Sequence, residues 1–226
     1  MKNKFLVSVV LLMALFTLSS FTDGPDNTNT YINGHEYVDL GLSSGTKWAT
    51  CNVGASKPEE FGGYYAWGET IDKDDYTWET YKWCDGDEYS LTKYCTDGYY
   101  GEFDYRTQLA PADDVAHVKW GGSWRMPTKA EQDELLNNCT WTWTTLNGVN
   151  GYKVTGLNGN SIFLPAAGYR RGTEVYNRGS YGYFWSSSLL SDYSNYAFLL
   201  YFNSGYHYWS DYYRRYYGLS VRPVSK

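Results

Sequence analysis

The stretch Tyr196-Ala197-Phe198-Leu199-Leu200-Tyr201-Phe202 is apolar or aromatic at every position. Successive side chains of an extended strand point to opposite faces, so this stretch would present hydrophobic groups on both faces. Strands of that kind are buried on both sides of their sheet. The stretch therefore predicts a central, buried strand around which the rest of the domain is arranged.

Short segments with the pattern of strands lie on both sides of this stretch. They are Tyr37–Leu42, Lys47–Thr50, Gly151–Thr155, Ser161–Leu164, Phe184–Ser188 and Leu219–Val224. Asn158-Gly159 lies between two of them and is a strong hairpin signal, because both residues accept a positive φ. Residues 54–121 are rich in Gly, Asp, Tyr and Trp and have no sustained helical period, which indicates long loops.

One helix is expected, and it begins at a capping box. In Thr128-Lys129-Ala130-Glu131 the threonine hydroxyl and the glutamate carboxylate can each accept a hydrogen bond from a free backbone N–H. Helix-forming residues continue through Leu136. Short strands with one clear helix predict an α+β fold with mostly antiparallel strands, few helices and long loops.

The N-terminal residues have the layout of a bacterial secretory signal peptide. Lys2 and Lys4 precede an apolar run from Phe5 to Leu18, which is shorter than the about 20 residues that span a bilayer. We expect a signal peptide at residues 1–20, a flexible leader at 21–34 and a single domain at 35–226. The cysteine that a lipoprotein signal requires is missing after the apolar run. We therefore expect export to the periplasm, the cell surface or the medium, without membrane insertion after the signal is removed.

Composition narrows the classes of partner and of chemistry. The formal net charge is −6 and no basic cluster occurs, which argues against nucleic acid or an anionic membrane as a partner. The three histidines belong to no catalytic or phosphate-binding motif, so we expect neither an enzyme nor a cofactor. Asp72–Asp75 and Asp85–Glu88 have the acid content of calcium loops but complete no EF-hand pattern. We therefore expect solvated acidic loops there rather than a metal site.

Four cysteines leave two interpretations open; they are Cys51, Cys84, Cys95 and Cys139. An even number in an exported chain permits two disulfides, in three possible connectivities. The spacing C-x-x-C does not occur, which gives zinc or thioredoxin-type chemistry little support. Buried free thiols are the alternative to disulfides.

Tyrosine is concentrated between Arg171 and Tyr217, where Ser, Asp and Asn separate the rings. Such a mixture resembles an antibody paratope, in which tyrosine supplies rigid contact area and small polar residues supply adaptable hydrogen bonds. The alternative is that the tyrosines only pack a sheet, since tyrosine is also a good strand former. The accompanying Asp-Tyr-Ser-Asn and Ser-Asp-Tyr-Tyr runs favour a binding surface on loops carried by a buried scaffold.

Several motifs resemble those of the "major paralogous domain" proteins that gut bacteria secrete. These motifs are Tyr37–Leu42, Lys47–Ala55, Tyr65–Thr70, Trp120–Thr128, Leu164–Arg170, Phe184–Ser188 and Gly218–Val224. The resemblance implies a C-type-lectin-like fold of the formylglycine-generating-enzyme type and a role in binding at the cell surface. The reactive cysteine pair of those oxidases lies late in the chain, whereas no cysteine follows Cys139 here.

The C-terminal stretch is also similar to the variable proteins of diversity-generating retroelements, in which Asn codons become codons for Tyr, Ser, Asp and His. This resemblance implies a surface that differs between copies and binds an extracellular protein or glycan. The candidate variable and ligand-binding residues are Tyr176, Asn177, Ser180, Tyr181, Tyr183, Asp192, Tyr193, Asn195, Asn203, Tyr206, His207, Tyr208, Ser210, Asp211, Tyr212 and Tyr213. A fixed structural or pilus-assembly module is the alternative function.

Overall fold

A computed structural model describes residues 30–226, apart from the side chains of residue 30 and of residues 208–212. The expected signal peptide and residues 21–29 of the expected leader lie outside this range. The structure differs from the expected flexible leader in its last residues. Strand β1 (Thr30–Ile32) pairs antiparallel with β2 (His35–Asp39), and Asn33 and Gly34 form the turn with φ of 46° and 81°. Residues 30–34 are therefore part of the folded domain.

The other elements follow in chain order. They are β3 (Lys47–Ala49), a 3-10 turn (Pro111–Asp113), α1 (Val115–Trp120), α2 (Lys129–Asn138), β4 (Thr140–Leu146), β5 (Val149–Thr155), β6 (Ser161–Pro165), β7 (Tyr169–Arg171), β8 (Glu174–Tyr176), β9 (Tyr181–Leu189), β10 (Tyr196–Asn203), β11 (Tyr206–Arg214) and β12 (Val224–Ser225). All pairings between these strands are antiparallel. The predicted β-rich α+β class is confirmed.

Strand β10 is the middle strand of the sheet β11-β10-β9, as its apolar sequence predicts. Its two faces contribute to two different cores. Leu199 lies on one face, in a core with Trp67, Trp124 and Trp185. Phe202 lies on the other, in a core that also holds Trp48, Tyr152 and Phe184. A strand buried on both faces holds the two halves of the domain together.

Helix α2 begins at the predicted capping box. The Thr128 hydroxyl accepts the Glu131 N–H at 3.2 Å, and the Glu131 carboxylate accepts the Thr128 N–H at 2.9 Å. The same carboxylate accepts two hydrogen bonds from the Arg125 guanidinium, at 2.6 and 2.7 Å. Gln132 then donates to the backbone carbonyl of Phe184 at 3.0 Å, which attaches the helix to β9.

Three local features differ from the sequence prediction. Helix α1 is an extra helix in the region expected to be loop, and the Asp114 carboxylate caps it. Strand β4 was not expected, although the hairpin at Asn158-Gly159 that joins β5 and β6 is confirmed. Within Leu219–Val224, only Val224 belongs to a paired strand, because Leu219 and Ser220 form isolated bridges to Tyr65 and Phe184.

Two fully buried arginines fix the long loops to the C-terminal segment. The Arg215 guanidinium donates to the carbonyls of Lys93, Tyr94 and Ser194 at 2.9, 3.0 and 2.9 Å, and to the Tyr81 hydroxyl at 2.9 Å. Arg222 donates in the same way to the carbonyls of Ala49, Thr50 and Phe163. Carbonyl oxygens thus satisfy charged donors that would be costly to bury alone.

All four cysteines are free thiols, with Cys95 buried and the other three half-buried. The sequence leaves two disulfides and buried free thiols open, and in the structure the cysteines form no disulfide. Within residues 30–226 no helix has the length and apolar character needed to cross a membrane.

Candidate functional site

Nine described tyrosines form one continuous group of ring contacts, which we call the tyrosine array. Its members are Tyr169, Tyr176, Tyr181, Tyr183, Tyr201, Tyr206, Tyr213, Tyr216 and Tyr217. Strands β7 to β11 and the segment that follows β11 carry them. The array connects the β7–β8 hairpin to the three-stranded sheet.

Tyr183 and Tyr201 form the floor of the array. They are direct partners across β9 and β10, and directly opposed residues place their side chains on the same face of a sheet. Their ring centroids are 5.0 Å apart, and both side chains are buried, Tyr183 with 2% of its surface exposed. Tyr169 packs against Tyr183 at 5.1 Å. The floor is therefore part of the core rather than part of the accessible surface.

The rim of the array is accessible. Tyr176, Tyr181, Tyr213 and Tyr217 are half-buried, and 47% of Tyr206 is exposed. The Tyr206 hydroxyl lies 3.3 Å from the Tyr201 hydroxyl, within hydrogen-bond distance. Rings with one buried side and one accessible edge lose little conformational freedom when a ligand binds, which makes them suitable anchors.

The hydroxyls of Tyr183 and Tyr213 are neutral hydrogen-bonding groups. Burial raises the pKa of Tyr213, and a hydrogen bond with Tyr183 raises it further. Burial also raises the pKa of Tyr183, whose hydroxyl accepts a hydrogen bond from the Asn177 side-chain amide at 3.2 Å. These phenols therefore stay protonated at physiological pH and can both donate and accept.

A polar groove of about 530 Å³ lies at the edge of the array. The start of β9, the β10–β11 turn and the β4–β5 hairpin meet there. Its lining carries no charge and consists of Trp143, Asn150, Gly179, Ser180, Tyr181, Asn203, Ser204 and Gly205. Asn150 donates to the Gly179 carbonyl at 3.0 Å, which fixes the hairpin to the turn before β9.

Several polar groups of this groove have no partner. The side-chain oxygen Oδ1 of Asn203 accepts the N–H groups of Gly205 and Tyr206, at 2.8 and 3.3 Å, so the two N–H donors of the same side-chain amide remain unused. Within the described residues the hydroxyls of Ser180, Tyr181 and Ser204 form no hydrogen bond either. An uncharged groove with unused donors and acceptors is suited to a neutral polar ligand group.

Eleven of the predicted site residues fall into two groups. Those at the array or the groove, or directly next to them, are Tyr176, Asn177, Ser180, Tyr181, Tyr183, Asn203, Tyr206 and Tyr213. Asp192, Tyr193 and Asn195 lie instead on the β9–β10 loop, at the other end of β10. Because β10 is 8 residues long, the two ends are separated by about 25 Å. The groove and the β9–β10 loop are therefore separate places on the surface.

Three predicted residues take part in the packing or hydrogen bonding of the fold. Tyr183 is buried in the floor of the array, and Asn195 is buried and donates to Glu88 at 2.8 Å. His207 stacks on Trp141 with ring centroids 4.6 Å apart, and burial lowers its pKa. The side chains of Tyr208, Ser210, Asp211 and Tyr212 lie outside the described residues.

Sequence reasoning missed other members of this surface. Trp143 and Asn150 come from the β4–β5 hairpin, which lies before the tyrosine-rich segment. Alternating Thr and Trp in Thr140–Leu146 would have identified the first of these strands. Tyr169, Tyr216 and Tyr217 also belong to the array, and only their contacts reveal it.

Each histidine ring is engaged in the fold. His35 stacks on Trp120 with centroids 3.8 Å apart, and His117 lies 3.2 Å from the Trp124 carbonyl. In the part of the chain that the structure describes, no three His, Cys, Asp or Glu side chains are close enough together to hold a metal ion. The arrangement at the tyrosine array is suited to recognition by contact and hydrogen bonding.

A family model described as a domain of unknown function, DUF8237, matches residues 140–224. The matched range begins at β4 and ends at Val224, so it contains the tyrosine array and the groove. No curated protein and no solved structure matches the chain.

Proposed function

We propose that this chain is an exported binding protein that holds an extracellular protein or glycan on the rim of the tyrosine array and in the adjoining groove. The observation that carries the proposal is the layered arrangement of the array. A buried floor of Tyr183 and Tyr201 supports an accessible rim that includes Tyr176 and Tyr206. Rigid aromatic anchors next to unused polar groups are the combination that binding surfaces use.

The proposed ligand contacts are neutral. Tyrosine hydroxyls on the rim and the free groups of Ser180, Asn203 and Ser204 can donate to and accept from sugar hydroxyls or peptide groups. The rings would supply apolar contact area, while the hydroxyls fix the orientation of the ligand. Binding should therefore depend little on ionic strength, because no charged residue lines the groove.

The C-type-lectin-like fold and the diversified surface are further parts of this proposal. Short antiparallel strands, two helices and the long region between β3 and α2 support the first. The second is supported by the position of accessible candidate residues at strand ends and turns, as at the exposed Ser180 and Tyr206 and the half-buried Asn203. Substitutions at such positions leave the buried scaffold intact, which a diversified receptor requires.

A binding screen tests the function. The purified protein is applied to a glycan array and to a phage-displayed peptide library, and the best ligand is then titrated against two variants. Tyr176→Ala combined with Tyr206→Ala should weaken binding by about thirtyfold or more, since truncation of an aromatic anchor costs about 2 kcal/mol. Tyr31→Ala removes a ring on β1 that is more exposed than either, and should have no effect. Equal affinity of the double variant and the wild type would place the ligand elsewhere.

A fixed assembly interface is the alternative, and the extensive packing of the tyrosines against one another favours it. Sequencing the 3′ end of the gene and its flanking DNA across one growing population separates the two. Substitutions clustered at the codons for the exposed candidate residues, next to a near-copy template and a reverse transcriptase gene, would support a diversified receptor. An invariant 3′ end without a template would support a fixed partner.

A further inference from the structure

Four exposed aromatic rings form a second surface, on the loop between residues 85 and 105. Tyr89, Tyr99, Phe103 and Tyr105 are 53%, 66%, 53% and 75% exposed. Four exposed carboxylates lie on the same loop, those of Asp85, Asp87, Asp97 and Glu102. We call these eight residues the acidic aromatic patch. Large exposed aromatics concentrated in one short loop are uncommon on a free surface and mark interaction sites.

The patch is held in shape by local hydrogen bonds. The Asp87 carboxylate accepts the Tyr89 N–H at 2.8 Å, and the Asp97 carboxylate accepts the Tyr99 N–H at 2.9 Å. The rings of Tyr89 and Tyr99 meet edge to face with centroids 5.1 Å apart. Leu91, which is buried, bonds to the backbone of Tyr100 and Glu102 and so ties the two halves of the loop together. The rings are therefore displayed by an ordered scaffold.

The other pair of rings adjoins the first. Phe103 and Tyr105 stack with centroids 5.2 Å apart. The Phe103 ring lies against Gly98, the residue before Tyr99. A Cβ atom added at Gly98 would be only 2.7 Å from that ring. Tyr105 has a φ of 55°, a conformation that is rare for a bulky residue. The loop therefore holds all four rings in a single patch.

The patch is far from the groove at the edge of the tyrosine array. Its loop is attached to the β9–β10 loop, where the Thr96 N–H donates to the Ser194 hydroxyl at 2.9 Å and Asn195 donates to Glu88 at 2.8 Å. The groove lies at the opposite end of β10, about 25 Å away. A ligand of the patch is therefore separate from a ligand held in the groove.

The charge of this loop is one-sided. Residues 85–105 contain six acidic residues and one basic residue, Lys93, whose ammonium group is bonded to Asp113 at 2.5 Å. Glu88 pairs with Arg214 at 2.9 Å, and Asp104 lies 3.9 Å from Arg106. Within the described residues the four patch carboxylates have no ion-pair partner. The unpaired charges are thus the ones that lie beside the exposed rings.

Cations of the chain lie over many rings, but over none in this patch. Lys82 and Lys93 lie 4.2 and 4.4 Å from the ring of Trp83, and Arg215 lies 5.0 Å from that of Trp67. Among residues 30–226 no lysine or arginine is placed over Tyr89, Tyr99, Phe103 or Tyr105 in this way. Aromatic faces beside carboxylates attract cations through two interactions, with the ring quadrupole and with the negative charge of the carboxylates.

We infer that the acidic aromatic patch docks a lysine- or arginine-rich segment of a partner protein. Each ring can accept an ammonium or guanidinium group on its face, and the neighbouring carboxylates can pair with the same groups. Anionic partners are repelled by the unpaired acids. A neutral partner would leave four carboxylates beside it unpaired, which makes it the poorer occupant.

The test uses a fluorescein-labelled peptide of alternating arginine, glycine and lysine, titrated against the full protein by fluorescence anisotropy at low ionic strength. Tyr99→Ala combined with Tyr105→Ala leaves the charge unchanged and should weaken binding about tenfold. Asp97→Asn combined with Glu102→Gln keeps the rings and should also weaken it about tenfold. Far-UV circular dichroism and thermal unfolding check that each variant is folded.

Matched controls separate docking from general attraction to an acidic protein. Asp74→Asn combined with Glu79→Gln makes the same charge change at exposed positions outside the patch and should bind like the wild type. Tyr206→Ala should also have no effect, so a failure of the array proposal would leave this one standing. A ring variant with wild-type affinity, or equal losses in the patch and control charge variants, would overturn the inference. Absence of binding by the wild type would overturn it as well.

Discussion

Tyr183 and Tyr201 oppose each other across β9 and β10 with ring centroids 5.0 Å apart, in the interior of a tyrosine-rich surface. The same residue type thus has two roles in this protein. Tyrosines of the floor pack the sheet, as expected for a good strand former, and tyrosines of the rim remain accessible. The packing interpretation of the tyrosine-rich segment describes the floor, whereas ligand binding by the rim stays a prediction.

The first prediction separates the two layers by stability. Tyr183→Ala removes a ring that is almost fully buried and should lower the free energy of unfolding by about 3–5 kcal/mol. Tyr206→Ala removes a ring that is half exposed and should cost less than about 1 kcal/mol. Urea denaturation of both variants measures the difference. Similar losses in the two variants would show that floor and rim are not distinct.

The second prediction concerns Arg215. Its guanidinium is fully buried and donates to three carbonyls and the Tyr81 hydroxyl, and its Cζ atom lies 5.0 Å from the centroid of the Trp67 ring. Lysine keeps the charge but cannot reach all four acceptors, so Arg215→Lys should cost about 3 kcal/mol or more of stability. The exposed pair Arg106 and Asp104 provides the control, because Arg106→Lys should change stability by less than about 0.5 kcal/mol. If Arg215→Lys lost less than about 1 kcal/mol of stability, the described hydrogen-bond network would be contradicted.

The third prediction concerns the pH dependence of stability at Glu131. Burial opposes ionisation of this carboxyl, but the Arg125 guanidinium and the hydrogen bonds from Thr128 outweigh it and lower the pKa to about 2. A lowered folded-state pKa stabilises the protein above the unfolded value of 4.5, and this stability is lost as the pH falls towards 2. The full contribution is about 3 kcal/mol.

Glu131→Gln tests this directly. At neutral pH the variant should be less stable than the wild type by up to about 3 kcal/mol, and the gap should close as the pH falls from 4.5 towards 2. Thermal unfolding across that pH range measures the gap. A difference that stayed constant with pH would mean that the charge of Glu131 contributes nothing to the fold.

The fourth prediction concerns the cysteines. Denatured without reductant, the chain should take up four iodoacetamide groups, because all four thiols are free. In the native state at pH 8, Cys139 should react about a hundredfold more slowly than an ordinary thiol, since burial raises its pKa to about 11. Mass spectrometry of intact protein and of tryptic peptides reads both results. Uptake of only two iodoacetamide groups by the denatured chain would instead show that two cysteines form a disulfide.

Elements that depend on local pattern could be predicted from the sequence. The double-sided apolar run identifies β10 as a central strand, and Thr128 to Glu131 identifies the start of α2. Helix α1 could not be identified in this way, because its six residues are too few to establish a period. The sequence also predicts the Asn-Gly turn between β5 and β6, because its backbone preference is intrinsic to those residues.

The site could be predicted only as a region. Composition alone cannot distinguish Tyr183 in the floor from Tyr206 on the rim, because that difference depends on which neighbours cover each ring. Composition also assigns Tyr193 and Asn203 to the same site, although they lie at opposite ends of β10. Trp143 reaches the groove from the other hairpin, and only the tertiary contacts place it there.

The most direct test of the proposed function is to locate the ligand by NMR. Tyrosine rings are labelled with ¹³C and assigned by single substitutions, and the best ligand from the glycan and peptide screen is titrated in. We predict that the ring signals of Tyr176, Tyr181 and Tyr206 shift in parallel with occupancy, while those of Tyr31 and Tyr105 do not move. Shifts confined to Tyr31, Tyr105 or other rings outside the array, with the rim signals unchanged, would contradict the proposal that this surface is the binding site.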